Sequence, residues 1–159
     1  MTHILDLIDI VYESRQRMAD TFPLPSFGDC VRYAITEGGE MIDAQLRQER
    51  EYHRRNNSRN VDPRTEFGQM GYMIASALIQ NTPPVFAQEI YHQSPTVYSV
   101  LIPLNKYMDV QNVWRAFPSL VVTAMATWAD ACTGYGWDAA DLLTETCAAF
   151  EAKWAKVAE

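Results

Sequence analysis

Apolar residues recur at a helical spacing along most of the chain. In residues 2–20 the apolar positions are Ile4, Leu7, Ile8, Val11 and Met18. Because residues three or four apart lie on the same side of an α-helix, this pattern predicts an amphipathic helix. The same reasoning predicts four further helices: one that begins after Ser26 or Asp29 and runs to about Tyr52, one after Asp62 or Thr65, one over 120–132 and one after Asp138.

Residues that end or cap helices lie at the predicted boundaries. Pro23 follows the first helix, and proline cannot continue a helix because it lacks an amide hydrogen. Ser119 is the predicted cap of the fourth helix, and Gly134 is predicted to end it. Asp138, with Asp141 three residues later, resembles a capping box. The sequence therefore predicts an all-α fold, a bundle of four to five main helices.

Residues 81–118 are the least regular part and hold five of the eight prolines. Short helices are predicted around 85–93 and 105–116. Residues 97–102 have strand character, but a lone strand has no partner, so extended or helical packing against the bundle is favoured. The aromatic residues of this region either stack on a nucleotide base or fill the core or an oligomer interface, which is their more ordinary role.

Length and composition are those of one globular domain, residues 1–159. The net charge of −7 argues against a general nucleic-acid binder and is compatible with an acidic metal site. No apolar run approaches the length of a membrane span, and the N-terminus lacks the features of a signal peptide. The cysteines Cys30, Cys132 and Cys147 fit no close metal spacing, so we predict buried free thiols and a cytoplasmic location.

Two short acidic segments carry the candidate chemistry: Glu37-Gly-Gly-Glu40 and Glu66-Phe-Gly-Gln69. Each lies in a predicted helix, and a spacing of three puts both side chains of a pair on one face. The three glutamates can therefore converge in a cleft between two helices. Clustered carboxylates repel one another unless a cation lies among them, and hard oxygen ligands suit Mg²⁺ or Mn²⁺, ions that accompany phosphate substrates. The ordinary alternative for each pair is a solvated helix face.

The apolar positions of the second helix predict which way its acids face. We assign its inner face to Val31, Ile35, Gly38, Ile42 and Leu46. At about 100° per residue, Glu37 and Glu40 fall on the opposite side with Tyr33, Ala44 and Arg47. Because Tyr33 and Ala44 carry no charge, this helix is predicted to be covered on both sides, as in an oligomer or a closed cleft.

Four glycines lie beside the acids in the predicted helices: Gly38, Gly39, Gly68 and Gly71. Glycine inside a helix costs about 1 kcal/mol relative to alanine. Four such positions indicate that backbones or a ligand approach closely there. The alternative is that Gly38 and Gly39 break the helix, although the helical periodicity continues through them.

Basic residues are concentrated between the two acidic segments. Six arginines lie in residues 47–64, and the planar guanidinium group matches phosphate oxygens well. Arg47 and Arg50 are the candidate substrate-binding residues, and the alternative is a solvated, salt-bridged helix end. Lys153 and Lys156 suit the negative end of the last helix dipole, with contact to a phosphate at a neighbouring subunit as the alternative.

The order of these segments resembles the all-α nucleoside triphosphate pyrophosphohydrolases, the MazG-like and dimeric-dUTPase-like superfamily. That family has Glu-Glu-x-x-Glu on one helix and Glu-x-x-Asp on the next. Thr36-Glu37-Gly-Gly-Glu40-Met resembles the first block, and Glu66-Phe-Gly-Gln69 resembles the second. Residues 128–138 resemble the family's last helix-turn-helix. The resemblance covers residues 1–80 and 119–157, so residues 81–118 are interpreted as an insertion.

The resemblance implies Mg²⁺-dependent or Mn²⁺-dependent hydrolysis of a nucleoside triphosphate to a monophosphate and pyrophosphate. It implies that Glu37, Glu40 and Glu66 are the catalytic acids and the ion ligands, with Gln69 as a weak fourth ligand. Helices that are covered on both sides, together with abundant aromatic residues, predict a homo-oligomer, either a homodimer or a homotetramer.

Two residues depart from the family pattern. Thr36 replaces the first acid of the first block, and Gln69 replaces the aspartate of the second. A glutamine oxygen coordinates a hard cation but brings no negative charge, so metal affinity is expected to fall. The alternative function is therefore a binding or assembly protein with weakened catalysis. A nucleic-acid-associated protein that uses the arginines is a third hypothesis, which the acidic net charge disfavours.

Overall fold

The computed structural model describes residues 3–49, 62–81, 94–110 and 118–157. These residues form helices and no strand, so the all-α prediction is confirmed for them. Besides the main helices predicted, the described residues include a helix around residue 100, where extended or helical packing was predicted. The six helices are α1 (Ile4–Arg17), α2 (Phe27–Glu49), α3 (Pro63–Gln80), α4 (Val97–Val110), α5 (Pro118–Gly134) and α6 (Ala139–Ala155).

Helix boundaries follow local capping chemistry. Three helix starts carry a side-chain oxygen that accepts a hydrogen bond from a backbone N–H two or three residues later: Ser26 with Asp29 (3.2 Å), Asp62 with Arg64 (3.2 Å) and Asp138 with Asp141 (2.9 Å). Helix α5 ends at Gly134 as predicted, but the left-handed residue of the turn is Gly136, with φ of +79°. The cap predicted at Ser119 is wrong, since the helix already includes Pro118.

Helix α3 is the centre of the bundle. It packs most extensively against α2 and also contacts α1, α5 and α6. All residues from 70 to 78 are buried, and Met70, Met73, Ile74 and Leu78 belong to the core as ordinary packing residues. The indole Nε1 of Trp128 in α5 donates a hydrogen bond to the backbone oxygen of Phe67 (2.8 Å). The acidic end of α3 is therefore held from several sides.

Helix α4 resolves the ambiguity of the proline-rich region. The helical alternative for residues 97–102 is confirmed, and the helix continues to Val110 despite Pro103. Val100, Leu104 and Tyr107 are buried on one side, where α4 packs against α2 and α5. The helix predicted around 85–93 lies outside the described residues, as does the end of the one predicted at 105–116.

The glycines next to the acids allow helices to pack closely. A Cβ atom at Gly68 would lie 2.3 Å from Thr146 Oγ1 of α6, and one at Gly71 would lie 2.3 Å from the Trp128 ring of α5. A Cβ atom at Gly38 would lie 2.9 Å from Leu101 of α4. Helix α2 runs unbroken through Gly38 and Gly39, so the helix-breaking alternative is wrong. Three of the four glycines therefore lie where helices approach each other closely, and Gly39 does not.

Gly39→Ala and Gly71→Ala are expected to change stability in opposite directions. No described residue lies within 4 Å of a Cβ atom at Gly39, so alanine should stabilise α2 by about 1 kcal/mol through its helix propensity. At Gly71 the new methyl group would overlap a buried indole ring, which should destabilise the fold by about 1–3 kcal/mol. Urea unfolding of both variants measures the difference, and equal midpoints would contradict the packing described here.

The remaining composition-based predictions concern thiols and membranes. Cys30, Cys132 and Cys147 are buried and form no disulfide, as predicted. Burial raises the pKa of Cys30 to about 11 and that of Cys132 to about 12, so both stay protonated at neutral pH. Among the helices of the described segments, none combines the length and apolar character needed to cross a bilayer.

Candidate metal centre

Three glutamates from two helices meet at one point. Glu37 and Glu40 of α2 and Glu66 of α3 each offer a carboxylate oxygen, and these oxygens all lie within 4.8 Å of one another. Within the described segments, this is the one group of three or more acidic, His or Cys side chains close enough to share an ion. The structure therefore brings together the three residues that the i,i+3 spacing singled out.

The orientation predicted for α2 is partly wrong. Glu37 lies on the same side of the helix as the buried residues Ala34, Met41 and Ala44, which face α3. Ile42 is only partly buried and Leu46 is exposed. The larger apolar residues suggested an inner face that is rotated from the observed one. Ala34 and Ala44 on that face let α2 and α3 pack closely, and this places Glu37 between the helices.

Burial differs sharply among the three carboxylates. Glu66 is only 5% exposed, Glu37 is half-buried and Glu40 is exposed. Among the residues that the structure describes, none forms a hydrogen bond with the buried oxygens Glu37 Oε2 and Glu66 Oε2. A buried polar atom without a partner is strongly unfavourable, and nearly all such atoms in folded proteins have one. Two of them in one cluster point to a proton or a cation between the carboxylates.

The electrostatics of the cluster favour bound protons when no cation is present. Burial, with further contributions from Glu37 and Glu40, raises the pKa of Glu66 to about 8. Burial also raises the pKa of Glu37, and Glu40 adds to this rise, whereas contact with Glu66 and the charge of Lys153 oppose it. A cation that enters the cluster must therefore displace a proton at neutral pH.

Gln69 lines a groove beside the cluster. It lies one turn after Glu66 on α3 and is partly buried. The groove has a volume of about 280 Å³ and runs between α3 and α6. Besides Gln69, its lining includes Arg64, Thr65, Thr146, Phe150 and Lys153. The role of Gln69 as a fourth ion ligand stays a prediction.

Of the two arginines chosen from sequence, Arg47 is not among the residues that line this groove. Arg47 pairs with Asp43 on α2, and it lies seven residues, or about 10 Å, along the helix from Glu40. Arg50 lies outside the described residues. Substrate binding by either arginine stays a prediction.

Sequence reasoning did not identify α6 as a wall of the site. Thr146, Phe150 and Lys153 lie on one side of α6 and line the groove, and Arg64 lines it from α3. Their spacing along α6 was a usable signal for a shared face. No signal in the sequence indicated which helix that face would contact, because the α3–α6 contact joins residues far apart in the chain.

No protein-family model, curated protein or solved structure matches the chain. The resemblance to the all-α nucleoside triphosphate pyrophosphohydrolases therefore rests on the acidic segments and their order along the chain. Membership of that superfamily stays a prediction.

Proposed function

We propose that the protein hydrolyses a nucleoside triphosphate to a monophosphate and pyrophosphate with the help of Mg²⁺ or Mn²⁺. Glu37, Glu40 and Glu66 hold the cation, and Gln69 is a weak fourth ligand. The observation that carries this proposal is the convergence of three carboxylates within 4.8 Å at a partly buried site.

The residues present fit a hard divalent cation. All donors in the cluster are carboxylate oxygens, which Mg²⁺ and Mn²⁺ prefer to softer ligands. The buried oxygens of Glu37 and Glu66 lack partners among the described residues, and ion coordination would satisfy both. When bound, such an ion polarises phosphate oxygens and lowers the pKa of a coordinated water.

The differing exposure of the glutamates suggests different tasks. Glu66 is enclosed by the bundle, so its carboxylate is held in a fixed position. Glu40 is the member that solvent reaches, and it is therefore best placed to accept a proton from an attacking water. Glu37 is intermediate in exposure between the other two.

Self-association as a homodimer or homotetramer belongs to the same proposal. Tyr98 and Ile102 lie one turn apart on α4 and are 58% and 62% exposed. Exposed apolar pairs of this kind favour contact with a partner surface. Sedimentation of the full chain measures the assembly.

A cytoplasmic location is also proposed, since the buried free thiols suit a reducing compartment.

Gln69 favours one second candidate, a binding or assembly protein with weakened catalysis. An amide at this position leaves the site without the charge that a fourth acid would supply. In that case the cation still binds, but triphosphates are not cleaved.

Thermal unfolding and pyrophosphate release together test these candidates. A cation that binds only the folded protein stabilises it by about 2.7 kcal/mol at a concentration of 100 times its Kd. Mg²⁺ is therefore expected to raise the Tm, and a panel of nucleoside triphosphates should include one that releases pyrophosphate. A raised Tm without release favours the binding protein. If neither Mg²⁺ nor Mn²⁺ changes the Tm, the metal centre is rejected.

A further inference from the structure

The groove between α3 and α6 is lined by Thr65 and Gln69, which lie on either side of Glu66 in the sequence of α3. Gln69 lines the groove and follows Glu66 by one helical turn, so their Cβ atoms are about 5–6 Å apart. The opposite wall carries Phe150 and Lys153 on one side of α6. A molecule held by the cluster therefore has this groove as adjoining space.

The two cationic side chains of the groove differ in whether a described acidic side chain already pairs with them. Arg64 forms two hydrogen bonds with the carboxylate of Glu145, and the longer of them is 3.0 Å. Its charge is therefore already balanced. Lys153 has no ion-pair partner within the described part of the chain, and its Nζ lies 5.9 Å from the ring centre of Trp154. Lys153 lines the same groove as Gln69, the residue that follows Glu66 by one turn of α3.

The charges of the site match one divalent cation better than two. The three clustered carboxylates carry three negative charges when they are all ionised. One divalent cation and the Lys153 ammonium together carry three positive charges. Two divalent cations with Lys153 would leave an excess of two positive charges. An aspartate at position 69 would add a negative charge and favour a second ion, but this chain has an amide there.

We propose that the cluster binds a single divalent cation, and that the α3–α6 groove binds a chain of phosphate groups between this cation and the ammonium group of Lys153. The inference rests on the proposed function for the identity of the ion site. Gln69 lies along this path, and its amide nitrogen can donate a hydrogen bond to a phosphate oxygen, which an aspartate cannot do. Phosphate binding therefore depends on α6 as well as on the acidic helices.

Counting bound Mn²⁺ tests the first half of the proposal. Titration followed by electron paramagnetic resonance should show one Mn²⁺ per chain in the wild type. Gln69→Asp should add a second, weaker site, because it supplies the missing charge. Two ions per wild-type chain would overturn the single-ion assignment, and no bound ion would overturn the proposed function as well.

Binding of inorganic pyrophosphate tests the second half. In saturating Mg²⁺, Lys153→Met should weaken pyrophosphate binding by about tenfold or more, the usual effect of losing a hydrogen bond to a charged group. Mg²⁺ alone should bind Lys153→Met at least as well as the wild type. Lys153→Arg, which keeps the charge, should retain most of the affinity for pyrophosphate.

Lys156→Met is the matched control, since Lys156 is also exposed at the end of α6 but does not line the groove. It should bind pyrophosphate like the wild type. Unchanged affinity in Lys153→Met, or an equal loss in both methionine variants, would overturn the role of Lys153. One bound ion and Lys153-dependent pyrophosphate binding without triphosphate cleavage would reject the activity and keep this inference. Triphosphate cleavage with two ions per chain would keep the activity and reject this inference.

Discussion

Glu40→Gln is expected to lower pyrophosphate release from a nucleoside triphosphate by about 100-fold or more. The substitution keeps the shape of the side chain and an oxygen donor, but it removes a charge from the cation site and the proposed proton acceptor. Without Mg²⁺ the Tm should hold or rise, because one source of repulsion among the carboxylates is gone. The Tm gain on addition of Mg²⁺ should shrink.

The control for this variant is Glu49→Gln, an exposed glutamate near the end of the same helix. It should keep the turnover and the Mg²⁺ response of the wild type. Full turnover by Glu40→Gln, measured beside an active wild type, would reject the mechanism. Equal losses in both variants would show that the effect is not specific to the cluster.

Metal-free stability is expected to fall as pH rises from about 4.5 to 8. An ordinary glutamate has a pKa of 4.5, whereas burial and the neighbouring acids raise the pKa of Glu66 to about 8 in the folded protein. Between these values the folded state keeps a proton that the unfolded chain has lost. Unfolding therefore releases protons and becomes more favourable with increasing pH, and this contribution levels off above pH 8.

Glu66→Gln should remove most of this slope, because the amide does not titrate. Glu13→Gln, at an exposed position on α1, is the control and should keep the slope. In the wild type the Tm gain from Mg²⁺ should grow with pH, since fewer protons compete with the ion. Tm measurements across this pH range, in the presence of a chelator or of Mg²⁺, test both the pH slope and the competition between protons and the ion. A wild-type slope equal to that of Glu66→Gln would contradict the buried, protonated state of Glu66.

The main helices and three of their caps were readable from sequence because they depend on residues close together in the chain, whereas the cap predicted at Ser119 was wrong. Ser26, Asp62 and Asp138 cap helices through bonds that span only two or three residues. The i,i+3 placement of Glu37 with Glu40 is local in the same sense. The α4 segment was ambiguous because its β-branched residues suit a strand, and burial against α2 and α5 favoured the helix.

Only the tertiary structure decided which helix faces meet. Hydrophobic periodicity gave Ile35 and Ile42 too much weight and Ala44 too little, so the predicted inner face of α2 is rotated from the buried one. The burial of Glu66 and that of the two oxygens without a described partner depend on the contact between α2 and α3. The same holds for the α3–α6 groove, where Gln69 and Lys153 are brought together across 84 residues of chain. The spacing of residues along the chain determined which side chains share one face of a helix. The close packing of helices distant in sequence determined which of these side chains share a site.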